Sequence, residues 1–275
     1  MRVALVQLNS SDDPSANLPV TRSFVEKAAA EGARFILTPE VTNCVSASRE
    51  RQDEVLRRET DDATLAALKE DAARLGVWVL IGSLALKQAE GERFVNRSFL
   101  IAPDGGIRAR YDKIHMFDVE ISETETYRES DGYQPGDAAV MGDVDGIPVG
   151  LTICYDVRFP YLYRGMAKAG AKVMTVPSAF SPETGAAHWE VLLRARAIET
   201  GSYILAPAQC GEHKASRGRA RRTHGHSMAV DPWGRVLADG GDMPGVIVVD
   251  LDPGLVDDVR RRLPSLSHER QYKMV

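Results

Sequence analysis

Three residues with usable chemistry stand at equivalent places in the chain. Glu40 follows an apolar β-type run at 35–38, Lys113 follows another at 107–111, and Cys154 follows a third at 148–153. Open α/β sheets set reactive groups at the carboxyl ends of their strands. Each residue alone has an ordinary reading: a loop or helix-capping carboxylate, a solvated amine, a small core residue. Together they supply a base, a cation and a thiol, which is what nucleophilic catalysis needs. A free thiol ionises near a pKa of about 8.5, so it needs a base or a positive charge to yield thiolate at neutrality. Glu40 would take the proton, and Lys113 would hold a developing oxyanion.

These residues need a scaffold, and the hydrophobic pattern supplies one. A strand is expected over 3–8 and a helix over 17–31, with Phe24 and Ala28 four apart and Gly32 as its stop. The strand at 35–38 follows, then a helix over 61–75 with Leu65, Leu68, Ala72 and Leu75 on one face, closed by Gly76 before a strand at 77–81. Strands alternating with helices are the signature of a parallel sheet. Runs at 94–101 and 107–111 flank Pro103-Asp104-Gly105-Gly106, a hairpin signal that adds antiparallel strands. The second half repeats the logic: strand 148–153, helix 161–169, strand 172–176, helix 187–199, strand 203–207, then strands at 228–230 and 246–251. Trp189 falls on the apolar stripe of the long helix and reads as core. The two halves suggest internal pseudo-symmetry within one domain spanning 1–275, with 252–275 as an arm or helix docking on the body or on a second subunit.

Composition narrows the function classes. The 275 residues include 34 Lys and Arg against 39 Asp and Glu, a net charge of −5, and three cysteines with no CxxC. An odd, unclustered cysteine count argues against a disulfide framework and for a reducing, cytoplasmic setting. No secretory signal or membrane-length apolar run is visible. The acidic balance argues against nucleic-acid binding, and no GxGxxG follows a strand. A papain-like reading lacks its local cysteine signature. Cys210, His213, His224 and His226 loosely imitate metal spacing, but Lys214, Arg217, Arg219, Arg221 and Arg222 lie between them and would repel a dication. No metal and no cofactor are expected. The basic run at 214–222 reads as a solvated loop or a rim attracting an anionic substrate.

The blocks ILTPEV, RYDKIHMFDVEI and GLTICYDVRFP, around Glu40, Lys113 and Cys154, resemble the three catalytic blocks of the carbon-nitrogen hydrolase, or nitrilase, superfamily. PSAFSPETGAAHWEVLLRARAIET and HGHSMAVDPWG extend the resemblance over nearly the whole chain. It implies an α/β fold, a four-layer α-β-β-α sandwich with mixed sheets that commonly pairs into a homodimer, and a Glu40-Lys113-Cys154 triad. It also implies a second, structural glutamate, matched by Glu129 in TYRESDGYQPGD. In the implied chemistry Cys154 attacks an amide carbonyl, Lys113 and the Tyr155 N–H hold the oxyanion, ammonia leaves, and water activated by Glu40 frees the acid. Arg158 is the expected clamp for a substrate carboxylate, and Phe180 and Thr184 resemble pocket-lining positions. Tyr161 departs from the common RFPE wording. APAQCGEH, THGHSMAVDPWG and RRRLP are more similar to the deaminated-glutathione amidase branch than to the ω-amidase branch, so the expected partner is a small acidic amide. Nitrilase, N-carbamoyl amidohydrolase and non-catalytic scaffold are the alternatives, and the basic run would meet the longer substrate's distal carboxylate.

Overall fold

The computed structural model describes residues 1–90, 92–122 and 125–275, with the backbone alone at 122 and 125. Its first half runs β1 (Arg2–Gln7), α1 (Pro14–Ala30), β2 (Phe35–Leu37), α2 (Arg49–Val55), α3 (Ala63–Leu75), β3 (Trp78–Leu86), β4 (Val95–Ile101) and β5 (Ile107–Asp112). A hairpin, β6 (Asp118–Ser122) and β7 (Glu125–Arg128), leads to β8 (Val140–Val144), β9 (Ile147–Leu151), α4 (Pro160–Lys168), β10 (Val173–Thr175), α5 (Pro182–Thr200) and β11 (Tyr203–Ala206). A second hairpin, β12 (Cys210–His213) and β13 (Arg221–His224), precedes β14 (Met228–Val230), β15 (Val236–Asp239), β16 (Gly245–Asp250) and α6 (Pro253–Arg262).

Two six-stranded mixed sheets result, ordered β16-β1-β2-β3-β4-β5 and β15-β14-β11-β10-β9-β8. Each has three parallel strands at its centre, β1-β2-β3 and β9-β10-β11, flanked by antiparallel ones. That correspondence is the pseudo-symmetry expected from the sequence. Alternation along the strands builds the layers, because successive side chains leave a strand on opposite faces. Val3, Leu5, Phe35 and Leu37 point to the seam between the sheets, where they share a core with Val149, Leu151 and Val173. Their neighbours Ala4, Val6 and Ile36 point the other way and pack with Val25 and Ala28 of α1 and Leu65, Leu68 and Ala72 of α3. On the second sheet Met166 of α4 and Trp189, Leu193 and Ala197 of α5 form the outer helical layer. Trp189 is buried, as its place on the apolar stripe predicts, and its indole N–H donates to the His226 carbonyl at 2.8 Å. In the C-terminal segment, α6 docks on the body through buried Val256 and Val259.

Two helices begin earlier than periodicity suggests. Asp13 caps α1 by accepting from the Ser15 N–H, and Ser181 caps α5 by accepting from the Thr184 N–H, each with proline at the first helical position. Caps are polar, so a reading led by apolar spacing enters such helices late. The run at 214–222 is, over 214–220, the largely exposed loop expected, here the connection of the second hairpin, and its last two residues begin β13.

Gly82 carries the tightest constraint of the fold. It lies in β3 where pairing with β4 slips between Ile81 and Leu84. A Cβ there would stand inside the van der Waals surfaces of the Thr38 and Pro39 carbonyls and the Pro177 ring. Thr38 and Pro39 lead directly to Glu40, and the Pro177 carbonyl receives the Cys154 N–H at 2.9 Å. Gly82→Ala should therefore cost about 1–3 kcal/mol by overpacking and wedge apart the loops bearing Glu40 and Cys154. A lowered urea midpoint with a larger fall in turnover is expected; full activity at wild-type stability would contradict this packing.

Candidate active site

The three residues that the sequence places at strand ends converge at the floor of one cavity of ≈ 740 Å³, which Glu40, Lys113, Cys154, Glu129, Tyr155 and Phe180 all line. Glu40 lies just beyond β2, on a chain reversal fixed by the Val41 N–H donating to Ser83 Oγ at 2.7 Å and by Gln209 Nε2 donating to the Glu40 carbonyl at 3.1 Å. Val41 has φ 47°, a left-handed conformation costly for a β-branched side chain. Lys113 follows β5, its N–H held by the Asn96 carbonyl at 3.0 Å. Cys154 opens a 3-10 turn, Cys154–Arg158, after β9, and it too has a positive φ, 49°. Strain of this kind, of order 1–3 kcal/mol per residue, persists only where the surroundings over-determine it. Here Asp156 does much of that: fully buried, it accepts from the Ile153 N–H at 2.9 Å, the Tyr111 hydroxyl at 2.6 Å and the His115 N–H at 3.1 Å, and pairs with His115 Nδ1 at 2.7 Å. It thus ties the cysteine turn to β5 and the segment just after Lys113.

The polar geometry is dense. Lys113 Nζ donates to Glu40 Oε1 at 2.9 Å and to Glu129 Oε1 and Oε2 at 2.9 and 2.8 Å. Glu40 also accepts from Asn96 Nδ2 at 2.9 Å and from the Ala179 N–H at 2.8 Å. Glu129 accepts from the Phe117 N–H at 2.7 Å. Lys113 is 2% exposed and Glu40 4%, so each charge depends on its partners. Burial works against ionising Glu40, but Lys113 and the bonds around it hold its carboxyl below the ordinary range. Burial likewise opposes the Lys113 charge, and Glu129 and Glu40 reverse that and push its pKa well up. Burial, reinforced by the Glu40 charge, pushes the Cys154 thiol up, with Lys113 pulling the other way. Both directions favour a protonated sulfur with an ionised carboxylate beside it.

The remaining sequence candidates divide. Tyr155, second in its 3-10 turn, has an N–H of the kind that helix geometry leaves without an intrahelical acceptor. Phe180 packs on Trp189 with ring centres 4.9 Å apart. Arg158 is not among the lining residues; its Cζ is 5.7 Å from the Tyr155 ring and 5.5 Å from Phe180, and its Nη2 is 3.2 Å from His188 Nδ1. It makes no pair with Asp156, whose oxygens are taken as described. Thr184 is likewise outside the lining and bonds Ser181 Oγ at 2.8 Å in the cap of α5. Sequence reading missed Asn96, which bonds Glu40; a single Asn inside β4 carries no signal at a distance. It passed over Asp156 as a structural anchor, although its position two residues after Cys154 was visible. Arg49, which also lines the cavity, was not singled out either. Of the metal-like histidines, His213 is buried and pushed down to about 4 by that burial, so its neutral ring donates Nδ1–H to the Ser10 carbonyl at 2.8 Å and takes Thr223 Oγ1 at 2.7 Å on Nε2. Among the described residues no three metal-ligating side chains converge.

The raised thiol gives a signed expectation. Thiolate appears only as pH climbs toward that raised value, so iodoacetamide modification of Cys154 without substrate should stay slow at neutrality and still be accelerating at pH 9. Peptide mass spectrometry reads this site by site; a rate that levels off below pH 7 would show a depressed thiol instead.

The family model described as carbon-nitrogen hydrolase matches residues 2–261. A Yersinia enterocolitica protein named deaminated glutathione amidase is 38% identical over 270 residues, covering 98% of this chain and 92% of that one. Among solved structures, the NitFhit protein of Caenorhabditis elegans aligns with a TM-score of 0.90 and 34% identity over 98% of this chain and 65% of its own longer chain. A Saccharomyces cerevisiae member of the nitrilase superfamily aligns at 0.86 and 28%, covering 99% of this chain and 97% of its own. The chain therefore belongs to the carbon-nitrogen hydrolase family, within the nitrilase superfamily of hydrolases that act on carbon–nitrogen bonds other than peptide bonds.

Proposed function

We propose that the chain is a thiol amidohydrolase that opens a small carboxylate-bearing amide through a thioester on Cys154, with deaminated glutathione its preferred substrate. The observation that carries this reading is the buried Lys113 ammonium shared between Glu40 and Glu129 beside Cys154. Substrate binding brings a carbonyl carbon to the sulfur; the S–H proton passes to Glu40 as the C–S bond forms. The tetrahedral oxyanion is held by Lys113 and the Tyr155 N–H. As the C–N bond breaks, Glu40 returns its proton to the leaving nitrogen. Glu40 then takes a proton from water as the water oxygen attacks the thioester; the C–S bond breaks, Glu40 gives that proton to the departing sulfur to restore the thiol, and the acid product leaves and ionises in solvent. Glu129 touches no reacting atom and acts as a positioning residue for Lys113.

The leaving group depends on the amide. A primary amide such as α-ketoglutaramate releases ammonia, whereas both amides of deaminated glutathione are secondary, and the bond next to the keto-acid half releases cysteinylglycine. Support for that substrate comes from the name of the Yersinia relative, from a cavity within the usual range for small-molecule sites, and from the cationic side chains Arg49, Arg221 and Arg222 in its lining. Arg158, one ring away from the cavity, is our choice for the keto-acid carboxylate, reached by turning from His188. The three unpaired, buried cysteines suit a reducing compartment such as the cytoplasm, and no helix among the described residues is long and apolar enough to cross a membrane. Tyr161, Val191 and Ile198 stand exposed on α4 and α5, the face we assign to a homodimer; a solution mass of one chain would refute that pairing.

The test is keto-acid release from deaminated glutathione and from α-ketoglutaramate by purified enzyme. A higher kcat/KM for deaminated glutathione is expected, and the reverse preference, or turnover of simple nitriles alone, would overturn the substrate. Glu40→Gln should lose about 10² to 10⁴-fold in rate by removing proton transfer, Lys113→Ala should fail at acylation, and Cys154→Ala should be inactive but folded. Near-normal kcat in any of the three contradicts the mechanism.

A further inference from the structure

The basic run at 214–222 does not act as one patch. Arg217 is tied to Glu54 of α2 at 2.6 Å, and Arg222 stands exposed. Arg221, the first residue of β13, turns into the cavity: its Nη2 donates to the Ala179 carbonyl at 3.0 Å and its Cζ is 5.9 Å from the Tyr127 ring centre. The same Ala179 gives its N–H to Glu40, so this guanidinium sits one residue from the reaction centre.

A second guanidinium reaches the cavity from α2. Arg49, first residue of that helix, has its Cζ 5.0 Å from the Tyr133 ring centre and 5.9 Å from Phe94, and its Nη1 donates to Gln52 Oε1 at 2.9 Å. Gln52 in turn fixes Tyr133 by donating to its hydroxyl at 2.9 Å. The guanidinium lies against Gly132, in space that a Cβ there would occupy. Arg49 and Arg221 thus enter the same cavity from different elements, one from α2 and one from β13.

Neither guanidinium has an ion pair with a carboxylate among the described residues, whereas the partly buried Arg22, Arg51 and Arg97 each have one. Two half-buried cations, braced by neutral groups and turned to the same cavity as the nucleophile, are built for an anion brought from outside. Glu183 and Glu212 also face the cavity but are exposed, where solvent screens them.

We propose that Arg49 and Arg221 form a clamp for a carboxylate on the leaving-group side of the substrate, so that the enzyme selects N-substituted amides whose amine half is itself an acid. This rests on the amidase reading above and adds a specificity element separate from Arg158, which packs against the Tyr155 and Phe180 rings.

The test compares deaminated glutathione with its terminal carboxamide, which differs only at that carboxylate, in the wild type and in Arg49→Met and Arg221→Met. The wild type should prefer the acid by about ten- to a hundredfold in kcat/KM, the worth of a hydrogen-bonded charge pair, and the difference should lie in KM. Each replacement should shrink that preference, and the double replacement should bring it near unity. Because the carboxamide arm needs no mutation, loss of folding cannot imitate the result. If wild-type enzyme cleaves acid and carboxamide equally well, or the variants keep the full preference, the clamp is wrong while the amidase reading stands. If wild type opens neither peptide-like amide but turns over α-ketoglutaramate, the substrate reading and the clamp both fall.

Discussion

A buried ammonium cannot be left alone. Taking Lys113 out of water costs several kcal/mol unless opposite charges follow it, and here two do, Glu40 from beyond β2 and Glu129 from beyond the β6–β7 hairpin. That requirement orders the site. Glu40 must be ionised to serve the lysine, and once ionised beside a buried thiol it leaves the proton on Cys154. The opposite displacement of the Glu40 and Cys154 acidities is therefore a consequence of how one cation is satisfied. Asn96, with its amide N–H on Glu40 and its side-chain oxygen buried without a partner, shows how much polar surface the arrangement takes in.

The two sheets divide the labour. Glu40 and Lys113 hang from the first, Cys154 from the second, and the sandwich seam brings them face to face. Such a site cannot be finer than the seam is tight, because a shift between the sheets separates Glu40 and Lys113 from Cys154. Two contacts cross it: Gly82 of the first sheet close against Pro177 of the second, whose carbonyl in turn receives the Cys154 N–H, and Asp156 joining the cysteine turn to Tyr111 and His115. The positive φ at Val41 and Cys154 then sits at the ends of well-braced strands, where it can be sustained.

Much of this was legible in the sequence, and the reasons differ by residue. Glu40, Lys113 and Cys154 announce themselves because strand ends are visible as apolar runs and the residue after each is polar and reactive. The parallel centre of each sheet, the Pro103–Gly106 hairpin and the buried Trp189 follow from periodicity. Other features depend on contacts between distant segments, which no local pattern encodes. Asn96 looks like any strand asparagine until β4 is placed beside β5. Arg49 lies in a polar stretch with no apolar stripe, so both α2 and its guanidinium passed unnoticed. Arg158 reads as a pocket residue from its distance to Cys154, and the turn sets its guanidinium against the Tyr155 and Phe180 rings at the edge of the lining. Thr184 is spent on a helix cap, since α5 begins five residues before its first periodic position.

The central claim is covalent: the acyl half of the substrate is carried on Cys154. Cys44 lines the same cavity and Cys210 lies nearby in β12, so the claim has real rivals. The most direct measurement is acid-quenched mixing of enzyme with saturating amide, followed by peptide mass spectrometry at times shorter than one turnover. The account predicts a thioester on the Cys154 peptide alone, formed and lost at rates compatible with kcat. Acyl groups on Cys44 or Cys210 with Cys154 unmodified, or Cys154→Ala turning over at the wild-type rate, would contradict it.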